Sequence, residues 1–165
     1  HTAKFTENMT VYGDTLDPNW TITQWGEGRY NPNATSPVYS GSNSFEMSID
    51  DPNLTALMIS SNVPLNPNAF QSVNFYIYGT QAGQSVTVFI WDSGFTDVTS
   101  QEINIAPNQW TYIEIPLAAV NSEKDFESVV FRRATSNTPF FIDELTLTPK
   151  PPVGAHNIFL PLVVR

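Results

Sequence analysis

Four aromatic rings stand where a half-buried strand would ordinarily carry small polar groups. In segment 72–78, Val73, Phe75 and Ile77 alternate with Asn74, Tyr76 and Tyr78; in 85–91, Val86, Val88 and Ile90 alternate with Thr87, Phe89 and Trp91. Successive side chains on a strand point to opposite faces, so each aliphatic set makes a core face and the rings collect on the other. Rings beside hydroxyl and amide groups suit one chemistry well, stacking on a flat ligand such as the C–H face of a sugar while polar neighbours bond its hydroxyls. The plainer use of such a face is to be covered by another layer of protein.

Two later segments extend the set. In 127–132 the core residues are Val129 and Phe131, leaving Ser128, Val130 and Arg132 outward; in 110–117 they are Thr111, Ile113, Ile115 and Leu117, leaving Trp110, Tyr112 and Glu114. If these strands share a sheet with 72–78 and 85–91, read as a hairpin, one surface gathers Tyr76, Tyr78, Phe89, Trp91, Tyr112, Glu114 and Arg132. That is a ring-lined groove with an acid and a guanidinium for hydrogen bonding. Trp110, which follows a Pro-Asn-Gln turn, is expected to seal the end of the core. A second group, Trp25, Arg29 and Tyr30, lies around Gly26 and Gly28 in a stretch whose apolar positions alternate poorly, and is expected to rim a site from a loop. Trp20 reads as an ordinary core plug, and Trp25 is open to either reading.

Catalytic chemistry finds little support. His1 and His156 are the two histidines, and a copper site built on an N-terminal His needs a second His on a rigid strand, whereas His156 falls in the tail. Glu114, Asp92 and Glu144 are the carboxylates to consider for glycoside hydrolysis, which requires two of them held ~5–9.5 Å apart, and spacing in sequence fixes no such distance. No nucleophile-elbow, phosphate-loop or metalloprotease motif is present.

The elements that must position these residues read almost entirely as strands: 9–12, 20–25, 44–49, 54–60, 72–78, 85–91, 101–105, 110–117, 127–132 and 140–147, with breakers such as Asp17-Pro18, Asn31-Pro32, Asp51-Pro52, Asn66-Pro67 and Ser93-Gly94 between them. Regularly spaced short strands indicate an antiparallel β-sandwich or barrel. Only 117–120 and 122–126 hint at a helical turn. At 165 residues the chain has the length of one ordinary domain. We divide it into a sandwich over 1–148 and, over 149–165, a Pro-rich spacer with an apolar tail ending Phe159-Leu160-Pro161-Leu162-Val163-Val164-Arg165. That tail is expected to add an edge strand or to serve as a sorting tail.

Cysteine is absent, which removes disulfides, thiolate metal sites and Cys nucleophiles. With 16 acidic against 7 basic residues and a net charge of −9, the surface repels nucleic acid and anionic membrane. No apolar run reaches the ~20 residues of a membrane span, and the first residues lack a signal-peptide pattern. Few Lys and Arg, abundant Asn, Thr, Ser and Pro, and many aromatics lean towards an extracellular β module. The Asn-x-Thr sequons at Asn8, Asn19, Asn33 and Asn53 carry little weight in a chain so rich in both residues.

Several segments, in order, resemble the jelly-roll carbohydrate-binding modules attached to bacterial polysaccharide-degrading enzymes. They are Val11-Tyr12-Gly13-Asp14, Ser36-Pro37-Val38-Tyr39-Ser40-Gly41-Ser42, Gln109-Trp110-Thr111 opening Tyr112 to Leu117, and Phe141-Ile142-Asp143-Glu144-Leu145, spanning about 9–147. The resemblance implies a jelly-roll β-sandwich that binds polysaccharide without catalysis, secreted or at the cell surface, monomeric, and joined to a catalytic domain. It also implies a structural calcium held by Asp14 and Asp143 with oxygens from Ser40 to Ser44, a chemistry that hard carboxylate and carbonyl ligands can provide. The simpler reading is that Asp14 caps a turn and Asp143 sits at a strand edge. The alternative function is a cell-surface structural or adhesion module whose aromatic face packs on a neighbouring domain.

Overall fold

The computed structural model describes residues 7–117 and 125–151. Eleven strands are found among them: β1 (Met9–Tyr12), β2 (Trp20–Trp25), β3 (Gly28–Ala34), β4 (Ser44–Ile49), β5 (Ala56–Leu65), β6 (Phe70–Gly79), β7 (Ser85–Trp91), β8 (Asp97–Asn104), β9 (Trp110–Pro116), β10 (Phe126–Arg132) and β11 (Phe140–Pro149). They form two antiparallel sheets. Sheet A has the order β3-β4-β11-β6-β9, with β1 also pairing with β11, and sheet B the order β2-β5-β10-β7-β8. The expected β-sandwich is thus found.

Its core follows from the alternation. Val73, Phe75 and Ile77 of β6 and Val86, Val88 and Ile90 of β7 are fully buried, as are Val129 and Phe131 of β10. They meet Phe45, Met47, Leu57, Ile59, Phe140, Ile142 and Leu145 in one continuous cluster, which Trp20 joins as expected. Burying so many large aliphatic and aromatic side chains, at roughly 1.5–3 kcal/mol each, explains how the sandwich dispenses with disulfides.

The structure corrects the pairing of the two ring-bearing strands. β6 lies in sheet A beside β9 and β11, and β7 in sheet B between β10 and β8. They do not form a hairpin; residues 80–84 carry the chain across the core from one sheet to the other. Because their aliphatic sets face each other through that core, their outward sets point in opposite directions. Tyr76, Tyr78, Tyr112 and Glu114 therefore share the outer surface of sheet A, and Phe89, Trp91 and Arg132 that of sheet B.

Several boundaries differ from the sequence reading. β3 has no counterpart in it: most of its residues are exposed and Pro32 interrupts it, so it lacks a hydrophobic alternation, but it pairs with β4 from Gly28↔Ile49 to Ala34↔Ser44 as an edge strand. Arg29 and Tyr30 accordingly sit on a strand and not in a loop. β5 runs on to Leu65, and β8 begins at Asp97. Pro149, expected to open the spacer, still pairs with Phe70 at the end of β11. The helical turn expected within 117–126 lies mostly outside the described residues, as do His1, His156 and the apolar tail.

Candidate functional site

On sheet B the strand registers put three rows across the outer surface. Trp25, Ala56, Arg132, Thr87 and Glu102 lie in one; Thr23, Met58, Val130, Phe89 and Ser100 in the next; Thr21, Ser60, Ser128, Trp91 and Asp97 in the third. Ala56, Met58, Val130, Phe89 and Trp91 pack into a second hydrophobic cluster, separate from the core. Trp91 is its centre and only 3% exposed. Its indole Nε1–H donates to Asp97 Oδ1 at 2.7 Å. The ring of Trp25 leans on it at a centroid distance of 5.6 Å, and Phe95, from the turn before β8, contacts Trp25 and Trp91 at 4.9 and 6.2 Å. Trp25 and Phe95 stay 37% and 54% exposed. The guanidinium of Arg132 lies 5.6 Å from the Trp91 ring centre and donates through Nη2 to the Asn53 carbonyl at 2.9 Å. Its Nε is buried without an acceptor. Arg133 covers Phe89 at 5.2 Å. The surface therefore presents two accessible rings, preorganised on a buried third, beside two cations and a border of Thr and Ser hydroxyls.

The rings of sheet A form a different arrangement. Phe141, Tyr78 and Trp110 share one register row, and Tyr76 and Tyr112 the row next but one along β6. Tyr39, from the loop before β4, stacks flat on Tyr76 at 3.6 Å and bridges to Trp110 at 6.0 Å. With Tyr78–Trp110 at 5.3 Å, Tyr78–Phe141 at 6.4 Å and Tyr76–Tyr112 at 5.3 Å, six rings run in unbroken contact. Trp110 thus belongs to this outer ladder instead of sealing the core. Glu114 is in register with Asn74. Arg29 and Tyr30 lie at the far edge of the same sheet, lining a separate groove of about 170 Å³ with Glu46 and Pro139; Arg29 pairs with Asp50 at 3.6 Å. No single groove gathers all the residues that the sequence assembled, because the strands carrying them belong to opposite sheets.

The residues expected to hold calcium do converge, but on backbone N–H groups. Asp143 is fully buried; its Oδ2 accepts from the N–H of Tyr39 at 2.9 Å and Ser40 at 3.3 Å, and its Oδ1 from the N–H of Glu144 at 2.8 Å. Asp14 Oδ1 accepts from Ser42 N–H at 2.6 Å and Asn43 N–H at 3.1 Å. Ser40 and Ser44 donate their hydroxyls to Glu144 and to the Pro37 carbonyl. Three N–H groups thus bond the Asp143 carboxylate and two bond Asp14 Oδ1, so that the two acids build a loop clamp. Burial raises the pKa of Asp143 despite its three N–H partners, whereas the Ser42 and Asn43 N–H bonds lower that of the exposed Asp14. Tyr12, buried and close to Asp143, Asp14 and Glu144, is pushed well above its ordinary value.

No family model matches the chain, and no curated protein does. Solved structures do. An exo-1,3/1,4-beta-glucanase from a Pseudoalteromonas species superposes with a TM-score of 0.68 at 12% identity, over 88% of this chain and 21% of the enzyme. A family 29 carbohydrate binding module complexed with cellulohexaose gives 0.62 at 12% identity, covering 86% of this chain and 89% of the module. Another variant of that module, complexed with mannohexaose, gives 0.59 at 13%, covering 86% and 90%. The chain shares the β-sandwich fold of these carbohydrate-binding modules. It spans about a fifth of the glucanase but nearly the whole of each family 29 module.

Within the module fold, sequence reasoning missed Phe95, Tyr39 and Arg133, the residues that complete the two ring clusters. Each comes from outside a strand, where alternation gives no signal, and Phe95 and Arg133 have left-handed backbones, with φ of 58° and 53°. Asp92, weighed as a catalytic carboxylate, holds a turn instead: its Oδ1 accepts from Gly94 and Thr96 N–H, both at 2.9 Å. It sits at one end of sheet B, whereas Glu114 and Glu144 are on sheet A.

Proposed function

We propose that the chain is a non-catalytic polysaccharide-binding module and that its principal binding face is the outer surface of sheet B. The observation that carries this reading is the exposed pair Trp25 and Phe95, fixed on a buried Trp91 whose N–H is anchored by Asp97. Preorganised rings lose little entropy when a sugar stacks on them. Thr21, Thr23 and Ser100 border the rings, and the half-buried guanidinium of Arg132 lies against Trp91 beside them, so hydroxyls around a sugar ring find both donors and acceptors. The solved modules of this fold, complexed with cellulohexaose and mannohexaose, support a neutral gluco- or manno-polysaccharide as the ligand class. The fold's occurrence within a glucanase supports a role in holding an attached enzyme on glycan, in a secreted or surface-bound setting.

Affinity electrophoresis of the protein through gels containing soluble β-glucan or glucomannan tests the reading. Retardation is expected, and Trp25→Ala is expected to weaken it by tenfold or more, about 1.4 kcal/mol. Unchanged mobility across glucans, mannans and xylans would overturn it and favour the structural or adhesion role.

A further inference from the structure

The outer surface of sheet A carries a construction of its own. The ring ladder borders a groove of about 420 Å³, lined by Tyr39, Tyr76 and Tyr112 together with Asn74, Glu144 and Thr146. Tyr39 and Tyr112 are 43% and 51% exposed, so ring area remains accessible at both sides of the groove. Asn74 orients the floor: its Oδ1 accepts from the Tyr112 hydroxyl at 3.0 Å, and its Nδ2 donates to Thr148 Oγ1 at 2.7 Å. The register between β11 and β6 breaks between Asp143 and Thr146, and Glu144 at that break has a φ of 51°. This bulge lets Leu145 remain in the core while Glu144 lines the groove, where it accepts the Ser40 hydroxyl at 2.5 Å. Bulges and left-handed non-glycine residues are costly and are found where they re-aim a side chain at a site. Among the described residues, the side chains lining the groove are rings, hydroxyls, amides and a carboxylate, with no cation, which matches a neutral polyol.

We propose that this groove is a second saccharide site, taking a neutral oligosaccharide, on the side of the sandwich opposite the sheet-B platform. One module then holds two glycan chains at once. The inference rests on the geometry of sheet A alone and does not require the sheet-B reading.

Isothermal titration calorimetry of the full chain with cellulohexaose and with mannohexaose tests it. Two sites per chain are expected, one lost in Trp25→Ala and the other in the double variant Tyr39→Ala/Tyr112→Ala. Glu144→Gln, which keeps the shape of the side chain, is expected to weaken the second site at least fivefold with an unchanged melting temperature, so the result does not depend on the double variant folding. A single site abolished by Trp25→Ala and indifferent to Glu144→Gln would overturn the second site and leave the first. A single site that survives Trp25→Ala and fails in Glu144→Gln would support the sheet-A site and overturn the sheet-B reading. No heat with either hexaose overturns both.

Discussion

Trp91 is buried and its indole N–H is committed to Asp97, so the ring supports other rings and does not itself meet ligand. Trp91→Ala is expected to lower stability by about 3–5 kcal/mol, measured by urea denaturation, whereas Trp25→Ala is expected to cost mainly binding. The two carboxylates of the loop clamp differ in sign with pH. The lowered pKa of Asp14 contributes stability that is present above its unfolded value and lost as pH falls through the lowered one. For Asp143, whose pKa is raised by burial, ionisation is penalised in the folded state; its contribution therefore improves as pH falls through the raised value towards the unfolded one. Melting curves across the acid range should show a shallower final decline in Asp14→Asn, and in Asp143→Asn the loss of the preceding gain. A decline unaltered by Asp14→Asn would count against the clamp. Gly41 completes it: with φ at 71° and a Cβ direction running into the Asp14 carboxylate, Gly41→Ala should destabilise the loop.

The clamped loop, residues 36–44, is the element that carries Tyr39 onto Tyr76. If N–H groups and not a cation hold it, excess chelator or added calcium leaves the melting temperature unchanged; a fall on chelation by several degrees would restore the metal. That Asp14, Asp143 and residues 40–44 meet was legible in the sequence through the order of segments, and what they bind was not, because sequence does not say whether a loop turns its N–H or its carbonyl groups towards a carboxylate. Strand existence and inward faces were legible wherever aliphatic residues alternate, as in β6, β7 and β10. β3 was not, since an exposed edge strand has no buried face to impose a period. Sheet membership of β6 and β7 was hidden for a different reason. Two alternating strands joined by a short connection look alike whether they pair side by side or face each other across a core, and only the second arrangement sends their rings to opposite surfaces.

At the scale of the whole molecule, a net charge of −9 is combined with ring faces suited to uncharged ligands. Stacking and hydroxyl contacts are little affected by counterions. Affinity for a neutral glucan is therefore expected to change less than about twofold between ~0.05 and ~0.5 M salt, as measured by calorimetry; a steep fall would point to an ionic partner. The pairing of β1 with β11 has a consequence for how the sandwich bears load. Met9 lies opposite Leu147 and Tyr12 opposite Leu145, so the first and last described strands form one antiparallel pair whose outer ends are neighbours. Tension applied through those two points peels the pair apart, opening one hydrogen bond at a time instead of shearing the whole ladder at once. Pulled at Met9 and Leu147, the sandwich should yield at low force, beginning with the strand that leads to Asp14 and its hold on the loop beneath Tyr39.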